Sequence, residues 1–362
     1  MTAQEKITPP AARNPLFVFG YPRSGTSLLR ALIGQHSWIT LTQGPELILG
    51  LHRAGYGPGD SIPGEELGPL FGELRKLNSC RRHFARLPPH VVEDTIAARR
   101  PLEFWELYER LVRPPDLETP LWGQKAHNNV FFASEIVERY PDALIVHVYR
   151  DCRAVVLSHL RKSGRLEEAP ADGSPTEAAI LGDEQLAMAA SHAMRWDHWM
   201  AVATAVGERA RPSSWIDVRY EDLVRDSGPI LRRVCELAGV PFEREMMSAG
   251  AREGDPILRG DSAGAHHRLA EELDPSRIIS FEGAPTVLDA LVERYAGKRM
   301  RWLGYGLRRP RVRDRLAVRR LARRHEHELR ADLRRHSAQR NPATLLATGR
   351  EASASTVPRR VA

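Results

Sequence analysis

Two stretches of the chain are apolar almost without interruption, Leu16-Phe17-Val18-Phe19 and Ala143 to Tyr149. Each is followed by a short turn and then by a helical spacing of apolar positions, Ser27 to Ile33 after the first and Ala154 to Arg161 after the second. Short unbroken apolar runs of this kind read as parallel strands covered on both faces. Ser214 to Arg219 is a third strand, followed by a helix from Ile230 to Ala238 that Gly239-Val240-Pro241 closes. His36 to Leu41 and Leu121 to Lys125 read as shorter strands, and Asn128 to Arg139 as a helix stopped by Tyr140-Pro141-Asp142. Glu46-Leu47-Ile48-Leu49 opens a helical or loop segment. Helical periodicity also runs through 71–113 (Val91, Val92, Ile96, Trp105, Leu111) and through Met188, Met194, Trp196, Trp199 and Val202. The Trp196-Asp197-His198-Trp199 cluster at that spacing is expected in the core. Residues 50–70 and 164–178, rich in glycine and proline or in small polar residues, read as surface loops. Strands alternating with helices predict an α/β fold with a mainly parallel sheet flanked by helices.

Composition changes this picture at the two ends. The 362 residues are 42% hydrophobic and 27% charged, as a soluble globular chain should be. No apolar run approaches the roughly 18 residues that span a bilayer. The first 15 residues, MTAQEKITPPAARNP, are polar and proline-broken, unlike a signal peptide. Cys80, Cys152 and Cys235 are an odd, scattered set with no metal-like spacing, which suits a reducing, cytoplasmic compartment and no metal. The net charge of +7 hides an asymmetry: residues 308–362 hold 16 arginines, no lysine and five acids, so the remaining 307 residues are net acidic. The sequence thus divides into a flexible N-terminus (1–14), a main domain (15–307) and an arginine-rich extension (308–362). The extension reads as solvated and partly helical. Its charge suits an acidic surface, while its lack of aromatics argues against specific nucleic acid.

Candidate chemistry gathers in the turn after the first strand. Gly20 and Gly25 have the spacing of the G-x-x-x-x-G-K-[ST] phosphate loop, but Thr26 stands where the lysine belongs and Arg23 is the loop's one cation. A strand feeding such a turn into a helix gives a cage of backbone N–H groups for an anion. The residue that reaches the β/γ-phosphates of ATP is missing, so a phosphate-like group other than ATP–Mg²⁺ is expected. The competing reading is a tight turn whose glycines serve packing alone. The second turn, Tyr149-Arg150-Asp151-Cys152-Arg153 continuing to Ser158, supplies an arginine and a hydroxyl, suitable for a phosphate dianion. Its bland alternative is a helix with an ordinary N-terminal aspartate.

Pro22-Arg23-Ser24-Gly25-Thr26-Ser27-Leu28-Leu29 resembles the 5′-phosphosulfate loop of sulfotransferases that use 3′-phosphoadenosine 5′-phosphosulfate (PAPS). It is most similar to the tyrosylprotein sulfotransferases and their bacterial relatives. Arg150-Asp151-Cys152-Arg153 with Ser158 is similar to that family's 3′-phosphate motif, R-D-x-R-x-x-x-x-S. Arg219-Tyr220-Glu221-Asp222-Leu223 resembles a further recurrent segment of the family. The resemblance covers residues 16 to about 240 and implies a three-layer fold like that of the P-loop NTPases, with 281–307 as its closing helix. It implies PAPS as co-substrate, PAP as product, a hydroxyl-bearing acceptor, and cofactor contacts from Arg23, Ser24, Gly25, Thr26, Ser27, Arg150, Ser158, Lys162 and Tyr220. Arg259 and Ser262 are carried over from a looser match, Leu258 to Gly264, for which a surface loop is the competing reading. Tyr220 could equally be an aromatic covering the sheet edge.

For the chemistry, Arg23 and Lys125 are the cations expected to neutralise charge on the leaving oxygen. Trp122-Gly123-Gln124-Lys125 fits the family's W-[GC]-x-K pattern, though Ala126-His127 departs from what usually follows. Glu46, after Gly44-Pro45, is the general base the resemblance implies, and His127 is the alternative. His147, inside a strand, belongs to the core, and His36 to a turn. Two other functions remain open at this point: a nucleotide-dependent kinase with a degenerate loop, and a non-catalytic basic interaction protein acting through 308–362.

Overall fold

A computed structural model of the chain describes residues 15–113, 120–165, 181–248 and 286–338. The N-terminal segment 1–14, most of the 164–178 loop, Arg259, Ser262 and the end of the arginine-rich extension lie outside the described residues. The strands are β1 (Leu16–Phe19), β2 (Ile39–Gln43), β3 (Ser61–Ile62), β4 (Leu102–Glu103), β5 (Leu121–Lys125), β6 (Leu144–Tyr149) and β7 (Trp215–Arg219). Helices α1 (Thr26–Ile33), α2 (Leu47–Arg53), α3 (Leu67–Lys76), α4 (Asn78–Phe84), α5 (Pro89–Ala97) and α6 (Phe104–Val112) occupy the first third. Then come α7 (Ala133–Arg139), α8 (Cys152–Lys162), α9 (Asp183–Gly207), α10 (Tyr220–Arg225), α11 (Ser227–Ala238), α12 (Val287–Trp302) and α13 (Val312–Ala338).

Five strands form one parallel sheet in the order β2-β5-β1-β6-β7, and β3 pairs antiparallel with β4 outside it. The unbroken apolar runs divide by residue parity. Leu16 and Val18 point with Val146, Val148 and Ile216 into one core, under α1 and α11. Phe17 and Phe19 point with Ile145 and Trp215 into the other, under α8, α9 and α12. Both faces are therefore buried, as the sequence pattern required. Trp196, Trp199 and His147 are buried in the interior as expected.

This division positions the site. β1 and β6 are neighbours, but the helix after β1 covers one face of the sheet and the helix after β6 covers the other. The carboxyl ends of two such strands open onto a crevice, where ligands bind in open α/β sheets.

Several boundaries differ from those read in the sequence. The second strand starts at Ile39 instead of His36, because His36 is fully buried in a turn, its Nε2 2.7 Å from the Pro241 carbonyl oxygen. The helix expected over 128–139 is a 3₁₀ turn, His127–Phe132, followed by α7. Asn129 there turns its amide inward to donate to Gln124 Oε1 at 2.7 Å. Residues 50–70 are a surface excursion only in part: Arg53, Gly55 and 58–61 are exposed, while Leu51, Ile62, Leu67 and Leu70 are buried in the core and hold the segment against it. The arginine-rich stretch 312–338 is a 27-residue helix lying on α9 and α12, with Val318, Leu321, Ala322 and Leu329 buried.

Candidate active site

The turn after β1 is shaped by its backbone. Gly20 approaches the neighbouring strand so closely that a Cβ there would stand 2.1 Å from the Val148 carbonyl oxygen. Gly25, the residue before α1, has φ 95°, and a Cβ on it would meet the Tyr220 ring at 2.2 Å. Arg23 itself sits at φ 74°, a left-handed conformation uncommon outside glycine. The Ser24 N–H donates to the Tyr21 carbonyl at 3.1 Å and closes the turn. A stacked histidine pair backs it: His159 and His192 lie ring over ring at 3.9 Å. His159 Nε2 is 3.3 Å from the Pro22 carbonyl oxygen, and Tyr21 Oη is 2.9 Å from His192 Nδ1. Burial pushes both imidazoles down, to about 3 for His159 and about 4 for His192, so the pair is neutral and its Pro22 contact is an N–H donated to a carbonyl. Among the described residues Ser24 Oγ, buried within the loop, has no hydrogen-bond partner.

The turn after β6 is held by side chains. Asp151 caps α8 by accepting from the Arg153 N–H at 2.8 Å, and the Arg153 guanidinium returns to both carboxylate oxygens, at 3.0 and 2.6 Å. Arg153 also reaches Asp289 of α12 at 3.4 Å and the Gly306 carbonyl at 2.9 Å. The Asp151 N–H donates to Glu221 at 3.1 Å, and Tyr305 donates to the other oxygen of that carboxylate at 2.8 Å. Arg150 is thereby set with its guanidinium 4.1 Å above the Tyr220 ring, the ring that also packs on Gly25. Arg23 Nε donates to Ser158 Oγ at 2.9 Å. The structure thus brings Arg23, Ser24, Gly25, Arg150, Ser158 and Tyr220 together across the β1/β6 crevice. Thr26 and Ser27 open α1, where the first N–H groups of a helix have no partner within it. Lys162 is exposed one turn beyond Ser158, and Arg23 acts on its charge.

Lys125 and Glu46 lie at the ends of the next two strands. The Gly44 N–H donates to the Lys125 carbonyl at 2.8 Å, Gln124 Nε2 to the Pro45 carbonyl at 3.0 Å, and the Glu46 N–H to Ser79 Oγ at 3.4 Å. Gln124 is itself fixed by the Tyr108 hydroxyl at 2.8 Å and by Asn129. Half-buried Glu46, at the start of α2, is close enough to Lys125 to raise its pKa. Burial dominates at Lys125, 5% exposed: desolvation, then the Arg30 charge, lower its pKa to about 7 against the pull of Glu46. Its Nζ donates to His127 Nε2 at 3.0 Å, and His127 Nδ1 is 3.0 Å from the Gly20 carbonyl oxygen. Burial and the Lys125 charge hold His127 far below the usual imidazole range, so it is neutral, donating to Gly20 and accepting from Lys125. Both nitrogens are engaged, so His127 bridges Lys125 and the loop.

Sequence reasoning missed Arg30, Gln124, the Tyr21–His159–His192 brace and Glu221. Arg30, on the α1 face that also buries Leu29 and Ile33, donates to the Leu41 carbonyl at 3.1 Å. A charge interrupting an apolar helical face was its only signal.

Residues 15–244, more than half of the chain, match the family model described as the sulfotransferase family. Among solved structures, the sulfotransferase domain of the Synechococcus PCC 7002 olefin synthase superposes with a TM-score of 0.54 at 20% identity, covering 85% of this chain and 100% of that one. At that identity the likeness is one of fold. An uncharacterized protein of Aquifex aeolicus (strain VF5) is 21% identical over 305 residues, 79% of this chain and 35% of that protein. The flavonol 3-sulfotransferase of Flaveria bidentis is 25% identical over 115 residues, 32% of this chain and 36% of that protein. The matched region spans about a third of the length of these curated relatives.

Proposed function

The chain belongs to the sulfotransferase family, and on that premise we propose that it moves a sulfuryl group from PAPS to an acceptor hydroxyl and releases PAP. The observation that carries this reading is the Arg23–Ser158 hydrogen bond of 2.9 Å. It joins a backbone anion cage to a second cationic site, Arg150 over Tyr220, across one crevice. A co-substrate with a phosphosulfate at one end and a 3′-phosphate at the other needs two such sites side by side. Ser24 Oγ, buried without a partner in the cage, is a donor suited to the phosphosulfate end. Thr26 in place of the loop lysine suits a terminal sulfonate, which carries less charge than a γ-phosphoryl group.

Each residue then has a defined task. Arg150 and Ser158 hold the 3′-phosphate, with Lys162 at its margin. Arg23 and Lys125 offset the charge that builds on the bridging oxygen as its bond to sulfur breaks. Glu46 takes the proton of the acceptor hydroxyl as that oxygen forms its bond to sulfur. PAP leaves with the electron pair of the broken bond. His127 and Gln124 position Lys125 and Glu46 without touching the reacting atoms. No metal is needed for these steps, so chelators should leave turnover unchanged.

The test is Glu46→Gln, assayed with sulfur-labelled PAPS against an extract of candidate acceptors and, separately, by calorimetric titration with PAP. Turnover should fall at least about a hundredfold, as for loss of a general base, while PAP affinity stays as in the wild type. Normal turnover would remove Glu46 from the mechanism. Tighter binding of ATP–Mg²⁺ than of PAP would move the chain to the kinases.

A further inference from the structure

Helix α13 has two faces of opposite kind. One carries Val318, Leu321, Ala322 and Leu329 and is buried, with Asp332 holding Arg195 of α9 and Glu326 holding Arg294 of α12. The opposite face carries Val312, Leu316, Arg319, Arg323, Arg330 and Arg334, at steps of three, four and seven residues. Such spacing draws one straight line along a helix, here about 33 Å long. Glu326 stands at its edge between Arg323 and Arg330 and pairs with Arg330 at 2.7 Å. Arginines at its margins are already paired, Arg315 with Glu293 at 3.3 Å and Arg324 with Asp183 at 2.7 Å. Among the described residues Arg319, Arg320, Arg323 and Arg334 are exposed and have no carboxylate partner.

A second observation narrows what such a row would meet. The large hydrophobic side chains exposed among the described residues are Met247, Val312 at 75% and Leu316 at 46%. Two of these three stand one helical turn apart on the arginine row. α13 contains no Phe, Tyr or Trp, so it offers no platform for stacking bases. Guanidinium heads on long apolar stems, beside exposed aliphatic side chains on one helix face, are the chemistry of a headgroup boundary.

We propose that this row docks α13 along the surface of an anionic lipid bilayer. The arginines bind headgroup phosphates and carboxylates, and Val312 and Leu316 enter the acyl boundary. The helix keeps its packing on α9 and α12, so the docked protein is the folded protein described above. This inference does not depend on the sulfuryl-transfer reading.

The test is sedimentation of the full chain with vesicles of phosphatidylcholine, with and without roughly one third phosphatidylserine. The wild type should bind the anionic vesicles, lose binding as salt is raised, and ignore the neutral ones. An arginine near such a surface contributes about fivefold in partition, so the combined change Arg319→Glu, Arg320→Glu and Arg323→Glu should cost at least about a hundredfold. Leu316→Ser should cost several-fold at unchanged charge. If the acidic variant fails to fold by circular dichroism, Gln at the same three positions gives the same reading with a smaller loss. Equal partition of wild type and variant overturns the proposal. So does equal binding to neutral vesicles, or release from anionic vesicles by poly-uridylate at a lower phosphate concentration than the vesicles themselves present.

Discussion

The turn leaving β1 at Gly20 and the turn leaving β6 at Arg150 stand side by side at one end of the sheet, and different forces hold them. The first is a backbone object: glycine at 20 and 25, Arg23 in a left-handed conformation, and a Ser24-to-Tyr21 hydrogen bond. The second has no glycine at all. It is clamped by Asp151, Arg153, Glu221, Asp289 and Tyr305, all buried, drawn from four separate parts of the chain. A loop that must wrap an anion with its own N–H groups needs backbone freedom. A loop that must aim one guanidinium at a fixed point needs the opposite, and a buried ion network supplies it.

The largest effect should come from breaking that network. Arg153→Met leaves Asp151 and Asp289 buried without their shared cation, a change that typically costs about 3–5 kcal/mol. Urea unfolding of the variant should show the full loss, with the far-UV spectrum kept at zero denaturant. A loss below about 1 kcal/mol would mean that Arg308, 2.9 Å from Asp289, carries the site in place of Arg153.

Smaller and more local effects separate the two turns by function. Arg150→Ala removes the half-exposed cation that the network aims, so calorimetry should show PAP binding weaker by about 1.5–3 kcal/mol with the urea midpoint nearly unchanged. Unchanged affinity would reject the 3′-phosphate assignment. Gly25→Ala acts through the backbone: φ 95° and the Tyr220 ring at 2.2 Å both oppose a Cβ. A strained site of this kind costs on the order of 1–3 kcal/mol. Because the displaced ring lies under Arg150, stability and PAP affinity should fall together. A variant that loses stability alone would show that the two turns are not coupled through Tyr220.

The same contrast explains what the sequence disclosed. Gly20 and Gly25 were legible because a phosphate loop is local: its shape needs residues within one turn of each other, and so does its spelling. The strands were legible because both faces are buried, which leaves no polar alternation in Leu16–Phe19. Glu221 sat in plain view inside Tyr220-Glu221-Asp222-Leu223, yet its partner is the N–H of Asp151, 70 residues away, and no pattern spells that pairing. Arg30 was hidden for a related reason, since an arginine on an amphipathic helix reads as solvent-facing until the Leu41 carbonyl is seen to receive it. In 312–338 nine arginines are interspersed among the apolar positions, and that charge masked the buried row Val318, Leu321, Ala322 and Leu329.

The mildest perturbation, a change of pH, reaches the point where the first turn meets the chemistry. Lys125 touches the loop through His127 and Gly20, and burial lowers its pKa to about 7. If its ammonium offsets charge on the leaving oxygen, kcat/KM must fall as the proton is lost, by about fivefold from pH 7 to pH 8 and by roughly tenfold over the next unit. Stability must move the other way. Between about 7 and the unfolded value of 10.5 the unfolded chain holds a proton on this lysine that the folded chain has released, so Lys125 makes stability rise with pH in that window. Lys125→Met should flatten both curves, and the anionic co-substrate, by favouring the ammonium, should shift the limb of kcat above that of kcat/KM. A wild-type kcat/KM that stays level from pH 7 to pH 9 would leave Lys125 a buried strut, and charge offset at the leaving oxygen would then rest on Arg23.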